Sequence, residues 1–309
     1  MSEPILSICI PTYDRLDILR KTLNSIYEGV NEDLLNEFEV IISDNSKNHS
    51  CQILKNEFVK YTNFFYKISE CEGFLNSYYA LSYGKGTYLK LHNNYTMLRK
   101  GSLNYIINLL KNNIKNKPLI FFSDGYKLKG NNQFYYSFDN FIRSVSYFSS
   151  WSSGFGIWKE DFNKFKEIKI NKFYPQTSLL LTQTYKKEFL LNDVNLFLNQ
   201  SIPNKGGYNI FRVFSVDYLD LIKETEMKGL ISSQCYKFIK KSLLYKFLSV
   251  RYFKTVIAKM DNFQHSRIKE SILVNYSPYY YYTFIIASFW GPFRFFIREF
   301  YRAHYTRLK

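Results

Sequence analysis

The sequence predicts an α/β fold: a mostly parallel sheet with helices on both faces, giving way to a helical C-terminal region. Three observations carry this expectation. Over the first hundred residues, short apolar runs rich in β-branched residues alternate with stretches whose apolar side chains recur every three or four positions, which is the grammar of strands and crossover helices in a parallel sheet. With 46% hydrophobic and 22% charged residues among 309, the chain has the apolar content of a globular protein, and general disorder is excluded. The net charge of +16 is uneven: between residues 237 and 309, 14 Lys and Arg face only Asp261, Glu270 and Glu299, leaving +5 for everything before. A surplus of that size calls for an anionic neighbour or serves solubility.

Residues 5–10 read as a buried first strand, ended by Pro11. Leu16, Leu19, Leu23 and Ile26 then share one face of a helix expected over 16–27. Asp14 and Asp17 lie at its start, where carboxylates cap free N–H groups. The pattern repeats with a strand over 38–43, a helix over 51–61, a strand over 63–68, a helix over 75–83 and a strand over 87–91. A helix over 103–110 leads to a strand at 119–123, after which residues 127–138 look like a polar, aromatic hairpin. Pro175 opens a helix expected to run to residue 185, and 194–198 reads as a closing strand. Beyond that the pattern is helical and basic, so the sequence predicts two regions, 1–214 and 215–309. Ligands of such sheets sit outside the carboxyl ends of the strands, which marks the loops 11–15, 44–49 and 92–96 as candidate site loops.

Cys9, Cys51, Cys71 and Cys235 form no C-x-x-C pair, and the four His residues do not cluster, so neither a disulfide framework nor a structural zinc is indicated. The early acidic residue and short apolar run at the N-terminus do not match a signal peptide, and a cytoplasmic location is expected.

The segments LSICIPTYDR, EVIISDNS and LSYGKGTYLKLHNNYTMLRKGSL, in that order and spacing, resemble the inverting family 2 glycosyltransferases of the GT-A fold. Within that family the Ser43-Asp44-Asn45 loop and the Trp151-Ser152-Ser153-Gly154 segment are similar to bacterial O-antigen and capsule enzymes of the abequosyltransferase type. The resemblance covers about the first two thirds of the chain. It implies a GT-A, Rossmann-like domain and transfer of a sugar from a nucleotide-sugar donor to a lipid-linked saccharide in surface polysaccharide biosynthesis.

It also implies site residues. The Pro11-Thr12-Tyr13 loop and Arg15 would line the nucleotide, with Tyr13 stacking on a base, and Asp44 with Asn45 would meet uracil or ribose. Where the family places acidic metal ligands for Mg2+ or Mn2+, this chain has Asn94 and Thr96, whose neutral oxygens bind a divalent ion weakly beside carboxylates. Either metal-free stabilisation of the diphosphate or loss of catalysis follows. Arg15, Lys85, Lys90, Arg99 and Lys100 flank these loops as replacement cations, and Lys205 and Arg212 are the preferred diphosphate partners. At the family's usual base position stands Gln176, which takes no proton, so Asp124, at the end of the 119–123 strand, is the candidate base, ahead of Glu160 and Asp161. His92 is expected to be structural.

Residues 279–290, YYYYTFIIASFW, are too short an apolar run to span a bilayer and fit an interfacial helix. Arg294, Arg298 and Arg302 follow at four-residue spacing, with Arg307 and Lys309 beyond, a pattern suited to anionic lipid. An anionic membrane surface is thus the expected partner, self-association as a homo-oligomer comes second, and nucleic acid ranks last because no nucleic-acid motif accompanies the charge. The alternative to an enzyme is a degenerate, non-catalytic glycosyltransferase fold that scaffolds polysaccharide assembly at the membrane.

Overall fold

The computed structural model describes residues 3–165, 168–203 and 206–290. Its strands are β1 (Leu6–Thr12), β2 (Phe38–Asp44), β3 (Phe64–Ile68), β4 (Tyr88–Leu91), β5 (Thr96–Leu98), β6 (Leu119–Phe122), β7 (Asn132–Tyr135), β8 (Gly156–Trp158), β9 (Phe189–Asn192), β10 (Phe197–Asn199), β11 (Gly206–Asn209) and β12 (Asn262–Gln264). The chain divides into two compact units, Met1–Ser201 and Ile202–Lys309, where the sequence set the change near residue 214. The division falls earlier because β11 pairs with β12, which places residues 206–209 in the second unit.

In the first unit a five-stranded sheet runs in the order β3-β2-β1-β4-β8, with β8 alone antiparallel. All seven residues of β2 and six of the seven in β1 are buried, as expected for parallel strands covered on both faces. Edge strand β3 is only partly covered. The helix Leu16–Tyr27 turns Leu19, Leu23 and Ile26 onto the core, and the helix Ser102–Asn113 adds Leu103, Ile106 and Leu110. These residues join Ile8, Ile10 and Ile42 in one apolar cluster. Each fully buried aliphatic side chain of this kind contributes roughly 1.5–3 kcal/mol relative to exposure.

A second sheet, β6-β9-β7, has β6 and β9 parallel and β7 antiparallel to β9. It joins the first through a bridge between Phe121 and Phe155. A small antiparallel ribbon of β5 and β10 completes the unit.

Several local expectations are corrected. No hairpin forms over 127–138: β7 pairs with β9, and residues 123–130 instead wrap around Asp193. The closing strand expected at 194–198 is the shorter β10, and a strand not expected from the sequence, β9, precedes it, the two separated by residues 193–196. Of the helix expected over 51–61, only a 3-10 turn, Ser50–Ile53, and one helical turn, Leu54–Glu57, exist, although Cys51, Leu54 and Phe58 still face inward. Asp14 does not cap the helix Leu16–Tyr27. Asp14 and Arg15 both take left-handed backbone angles, which turn the Asp14 carboxylate toward the Ser50 hydroxyl.

The second unit is mainly helical, with the short parallel pair β11 and β12; three residues of β12 are too few for alternation to register in the sequence. Helical stretches over 210–227 and 233–257 contain three wider π-type turns, and an α-helix follows at Ile268–Asn275. The helix Pro278–Phe289 packs Phe284 against Tyr252 and accepts or donates a Tyr245–Thr283 hydroxyl contact of 2.6 Å. Among the described residues no helix is long and apolar enough to cross a membrane.

Candidate functional site

Because β1, β2 and β4 are parallel, their carboxyl ends emerge on one edge of the sheet, and the loops that follow are tied together there. The Thr12 hydroxyl donates to Asp14 O at 3.0 Å and accepts from Asn94 Nδ2 at 2.9 Å. Asn94 O in turn accepts from the Thr22 hydroxyl at 2.9 Å. Asn45 N donates to Thr12 O at 3.2 Å, and Asn45 Nδ2 donates to Cys71 O and Gly73 O. Buried Asn76 is the clamp: its amide donates to Ser43 O, Thr12 O and Asn45 Oδ1, and its oxygen accepts from the Ser43 hydroxyl at 2.6 Å. Sequence reading missed Asn76, whose role depends on partners more than 30 residues away.

Asp44 is fully buried at the end of β2. Its Oδ1 accepts from Ser46 N at 2.8 Å and the Ser46 hydroxyl at 2.6 Å, while Oδ2 accepts from the Tyr66 hydroxyl. Burial first, and then the bond to Asp44, push the Tyr66 phenol well above its ordinary value, so it stays a donor. A nucleoside that reached Asp44 would compete with the Tyr66 hydroxyl for Oδ2 or share it. Tyr13, in contrast, is 52% exposed and Arg15 is exposed; Pro11 is half-buried in the strand between them and the core.

The positions where a divalent ion is expected offer it neutral oxygens only, which bind such an ion weakly beside carboxylates. Asn94 donates its Nδ2 to Thr12 while its Oδ1 accepts no hydrogen bond among the described residues, and the Thr96 hydroxyl donates to Asn199 Oδ1 at 2.7 Å and accepts from Ser153 at 3.5 Å. Among the described residues no group of three or more His, Cys, Asp or Glu side chains is placed to hold a metal. His92 is buried, its Nε2 lying 2.5 Å from Thr96 O. Burial, with nearby Lys90 adding to it, pushes its pKa down to about 3, so the ring is neutral and structural.

Lys90 is also buried, which removes it from the set of replacement cations. Its Nζ donates to Leu91 O at 3.1 Å and to Ser153 O, with the rings of Phe122 and Phe197 at 4.7 and 5.1 Å. Burial lowers its pKa to about 7 against the opposing charge of Asp124. Lys85 is removed for another reason: its N–H meets Glu39 at the amino ends of the strands, the edge opposite the site. Arg99 and Lys100 remain exposed, with Arg99 Nε donating to Phe197 O at 3.2 Å.

Asp124 follows β6 in a left-handed conformation, φ 52°. Its Oδ1 accepts from Leu196 N at 2.7 Å and Phe197 N at 2.9 Å, and its Oδ2 has no hydrogen-bond partner among the described residues. Burial lifts this carboxyl above its ordinary value against the pull of those two amides and Arg99. The Phe197 ring stands 5.7 Å from His92 and 6.0 Å from Trp151, so the ribbon of β5 and β10 joins Asp124 to the loop 92–96.

Asp193, which sequence reading also missed, is fully buried and accepts from Ser123 Oγ, Lys127 N, Leu128 N and Gly130 N at 2.5–3.1 Å. It shapes the loop that carries Asp124. The weaker base candidates are engaged elsewhere: Asp161 is buried in an ion pair with Lys186 at 2.5 Å, and Glu160 pairs with Lys117 at 2.6 Å. Gln176 is buried and donates to Ser150 O at 2.6 Å. Lys205 lies outside the described residues. Arg212 is exposed in the second unit, its N–H donating to the Asn209 side chain at 3.0 Å. The structure therefore brings Thr12, Asn45, Asn94, Thr96 and Asp124 to one edge of the first unit.

No protein-family model matches the sequence, and no curated protein matches it. Solved structures do. Residues 1–349 of TarS from S. aureus align with a TM-score of 0.55 at 13% identity, over 82% of this chain and 75% of that one. The same TarS portion in complex with UDP-GlcNAc aligns at 0.53 and 13%, over 87% and 79%. The mannosyltransferase PcManGT from Pyrobaculum calidifontis, in complex with GDP-Man and Mn2+, aligns at 0.50 and 10%, over 94% and 88%. At these identities the likeness concerns the fold: this chain has a GT-A-like α/β fold, a mostly parallel sheet flanked by helices, of the kind glycosyltransferases use.

Proposed function

We propose that this chain is an inverting glycosyltransferase of family 2 character, moving a hexosyl or deoxyhexosyl group from a nucleotide sugar to a lipid-linked saccharide in capsule or O-antigen assembly. The observation that carries the reading is Asp124: a carboxylate fixed through one oxygen, open at the other, with a raised pKa, on the same edge as the loops that follow β1, β2 and β4. Complexes of similar folds with UDP-GlcNAc and GDP-Man support a nucleotide-sugar donor. In the reaction the acceptor hydroxyl oxygen bonds to the anomeric carbon as that carbon's bond to the diphosphate oxygen breaks. The nucleoside diphosphate leaves with the electron pair, and Asp124 takes the hydroxyl proton.

Tyr13 offers its exposed ring to the base, and the loop of Asp44 and Asn45 holds the nucleoside. The neutral oxygens of Asn94 and Thr96, with no carboxylate beside them in the sequence, support metal-independent transfer, with Arg15 and Arg99 as exposed cations of the first unit that meet the diphosphate. Membrane association fits the second unit. On the helix Pro278–Phe289, Tyr279, Tyr282, Ile286 and Phe289 lie exposed on one side, with Trp290 just past its end, while Phe284 and Ser288 are buried on the other. An anionic lipid surface on the cytoplasmic face suits that stripe and the positive charge of this region.

A non-catalytic scaffold is the second reading, favoured by the full burial of Asp44 and the three internal hydrogen bonds that its oxygens accept. A thermal-shift panel of UDP-, GDP-, CDP- and dTDP-sugars, each with EDTA and with Mn2+, tests the proposal, because a ligand that binds the folded state raises its melting temperature. A shift with one nucleotide class that survives EDTA is expected. No shift with any donor would favour the scaffold.

A further inference from the structure

The geometry points to an acceptor-sugar subsite built by Tyr126, Phe148 and Trp151 beside Asp124, an inference that rests on the transferase reading above. Tyr126 stands two residues beyond Asp124, its N–H donating to Ser123 O at 3.1 Å, and its side chain is 58% exposed. Its ring centre lies 5.6 Å from that of Phe148 and 6.5 Å from that of Trp151, the latter pair nearly perpendicular. Trp151 in turn meets Phe197 edge-on at 6.0 Å, and Phe197 N holds Asp124 Oδ1 at 2.9 Å. The aromatic group and the carboxylate are therefore parts of one framework.

Three physical features suit a pyranose here. A sugar ring presents a face of C–H bonds and a rim of hydroxyls, which matches an aromatic face with polar tips. Neither the Tyr126 hydroxyl nor the Trp151 indole N–H has a hydrogen-bond partner among the described residues. The loop is also preorganised. Asp193 gathers the Ser123 hydroxyl and the N–H groups of Lys127, Leu128 and Gly130, and Lys127 Nζ sits 4.4 Å from the Phe148 ring centre. Little ordering then remains to be done when the acceptor arrives. A single sugar stacked on Tyr126 places a rim hydroxyl toward the open Oδ2 of Asp124, so this group selects the acceptor residue and the attacking hydroxyl.

The test uses saturation-transfer NMR on the full chain with methyl glycosides of glucose, galactose, mannose and N-acetylglucosamine, beside the nucleotide-sugar thermal shift on the same samples. Wild type is expected to transfer saturation to the C–H face of at least one glycoside. Tyr126→Ala should reduce that signal by about fivefold or more and Tyr126→Phe by less than about twofold, since the ring supplies most of the contact. Tyr136→Ala, at an exposed tyrosine outside the group, should leave it unchanged, and all three variants should keep the wild-type melting temperature. No saturation in wild type, or an equal signal in Tyr126→Ala, overturns the subsite while an intact donor shift leaves the transferase reading standing. Glycoside binding that depends on Tyr126 without any donor shift supports the subsite and counts against the transferase reading.

Discussion

The amino and carboxyl ends of the first unit's parallel strands differ in how completely their carboxylates are engaged. At the amino ends, Glu39 accepts from the Ser7 hydroxyl at 2.6 Å, Lys85 N at 2.5 Å and Gly86 N at 3.1 Å. Gly86 fits so closely that a Cβ there would meet the Leu6 and Ser7 backbone at 2.8 Å. At the carboxyl ends, Asp14, Arg15 and Asp124 take left-handed backbone angles, Tyr13 is exposed, and Asp124 keeps an oxygen open. Such non-glycine residues cost on the order of 1 kcal/mol or more each and persist where the surrounding structure holds them. Both edges bury internally bonded carboxylates, Glu39 at one and Asp44 at the other, and it is at Asp124, on the carboxyl side, that an oxygen is left open.

Mutations at the two edges should separate turnover from stability. Asp124→Asn is expected to lower turnover by about 10²–10⁴-fold, the range of a lost general base, while donor binding and melting temperature stay near wild type, because the amide oxygen still accepts from Leu196 and Phe197. Equal turnover in this variant would remove Asp124 as the base. Glu39→Ala should do the reverse: the stranded N–H groups and the Ser7 hydroxyl cost about 3 kcal/mol in urea unfolding, with kcat per folded molecule unchanged.

Lys90 sharpens the contrast through pH. Its folded pKa of about 7 lies below the ordinary 10.5, so between those values the unfolded chain holds a proton that the folded one has released, and stability rises with pH. Below pH 7 both states are protonated, and the burial of the ammonium weighs fully. Lys90→Met should therefore flatten the rise in urea midpoint between pH 6.5 and 8.5; an unchanged rise would assign it to other groups. The smallest effect is expected from Tyr66→Phe. If nucleoside binding requires Asp44 Oδ2, removal of the competing hydroxyl should tighten donor binding by about threefold, less than 1 kcal/mol, as read by calorimetry. Weaker binding would make Asp44 a purely structural anchor of its loop.

Much of the first unit was legible in the sequence. Strands β1 and β2 are continuous apolar runs, and the helix Leu16–Tyr27 shows its buried face at Leu19, Leu23 and Ile26. The Asp124 position followed from the rule that ligands bind at strand carboxyl ends. What escaped depends on distant pairing. β9 and its partner β7 are separated by more than 50 residues, and the bonds of Asn76 to Thr12 and of Asp193 to the 123–130 loop span similar distances. Asp44 and Lys90 show the same limit: residue type suggested ligand binding, whereas Tyr66 and Ser153 reach them only in the folded chain.

The most direct measurement is release of nucleoside diphosphate from the donor that raises the melting temperature, in the presence of membranes carrying lipid-linked saccharide, first in EDTA and then with Mn2+ added. Metal-independent transfer at the carboxyl edge predicts rates within about twofold of each other, since neutral Asn94 and Thr96 oxygens add little affinity for a divalent ion. Release that appears only with Mn2+, or no release under either condition, would contradict the account.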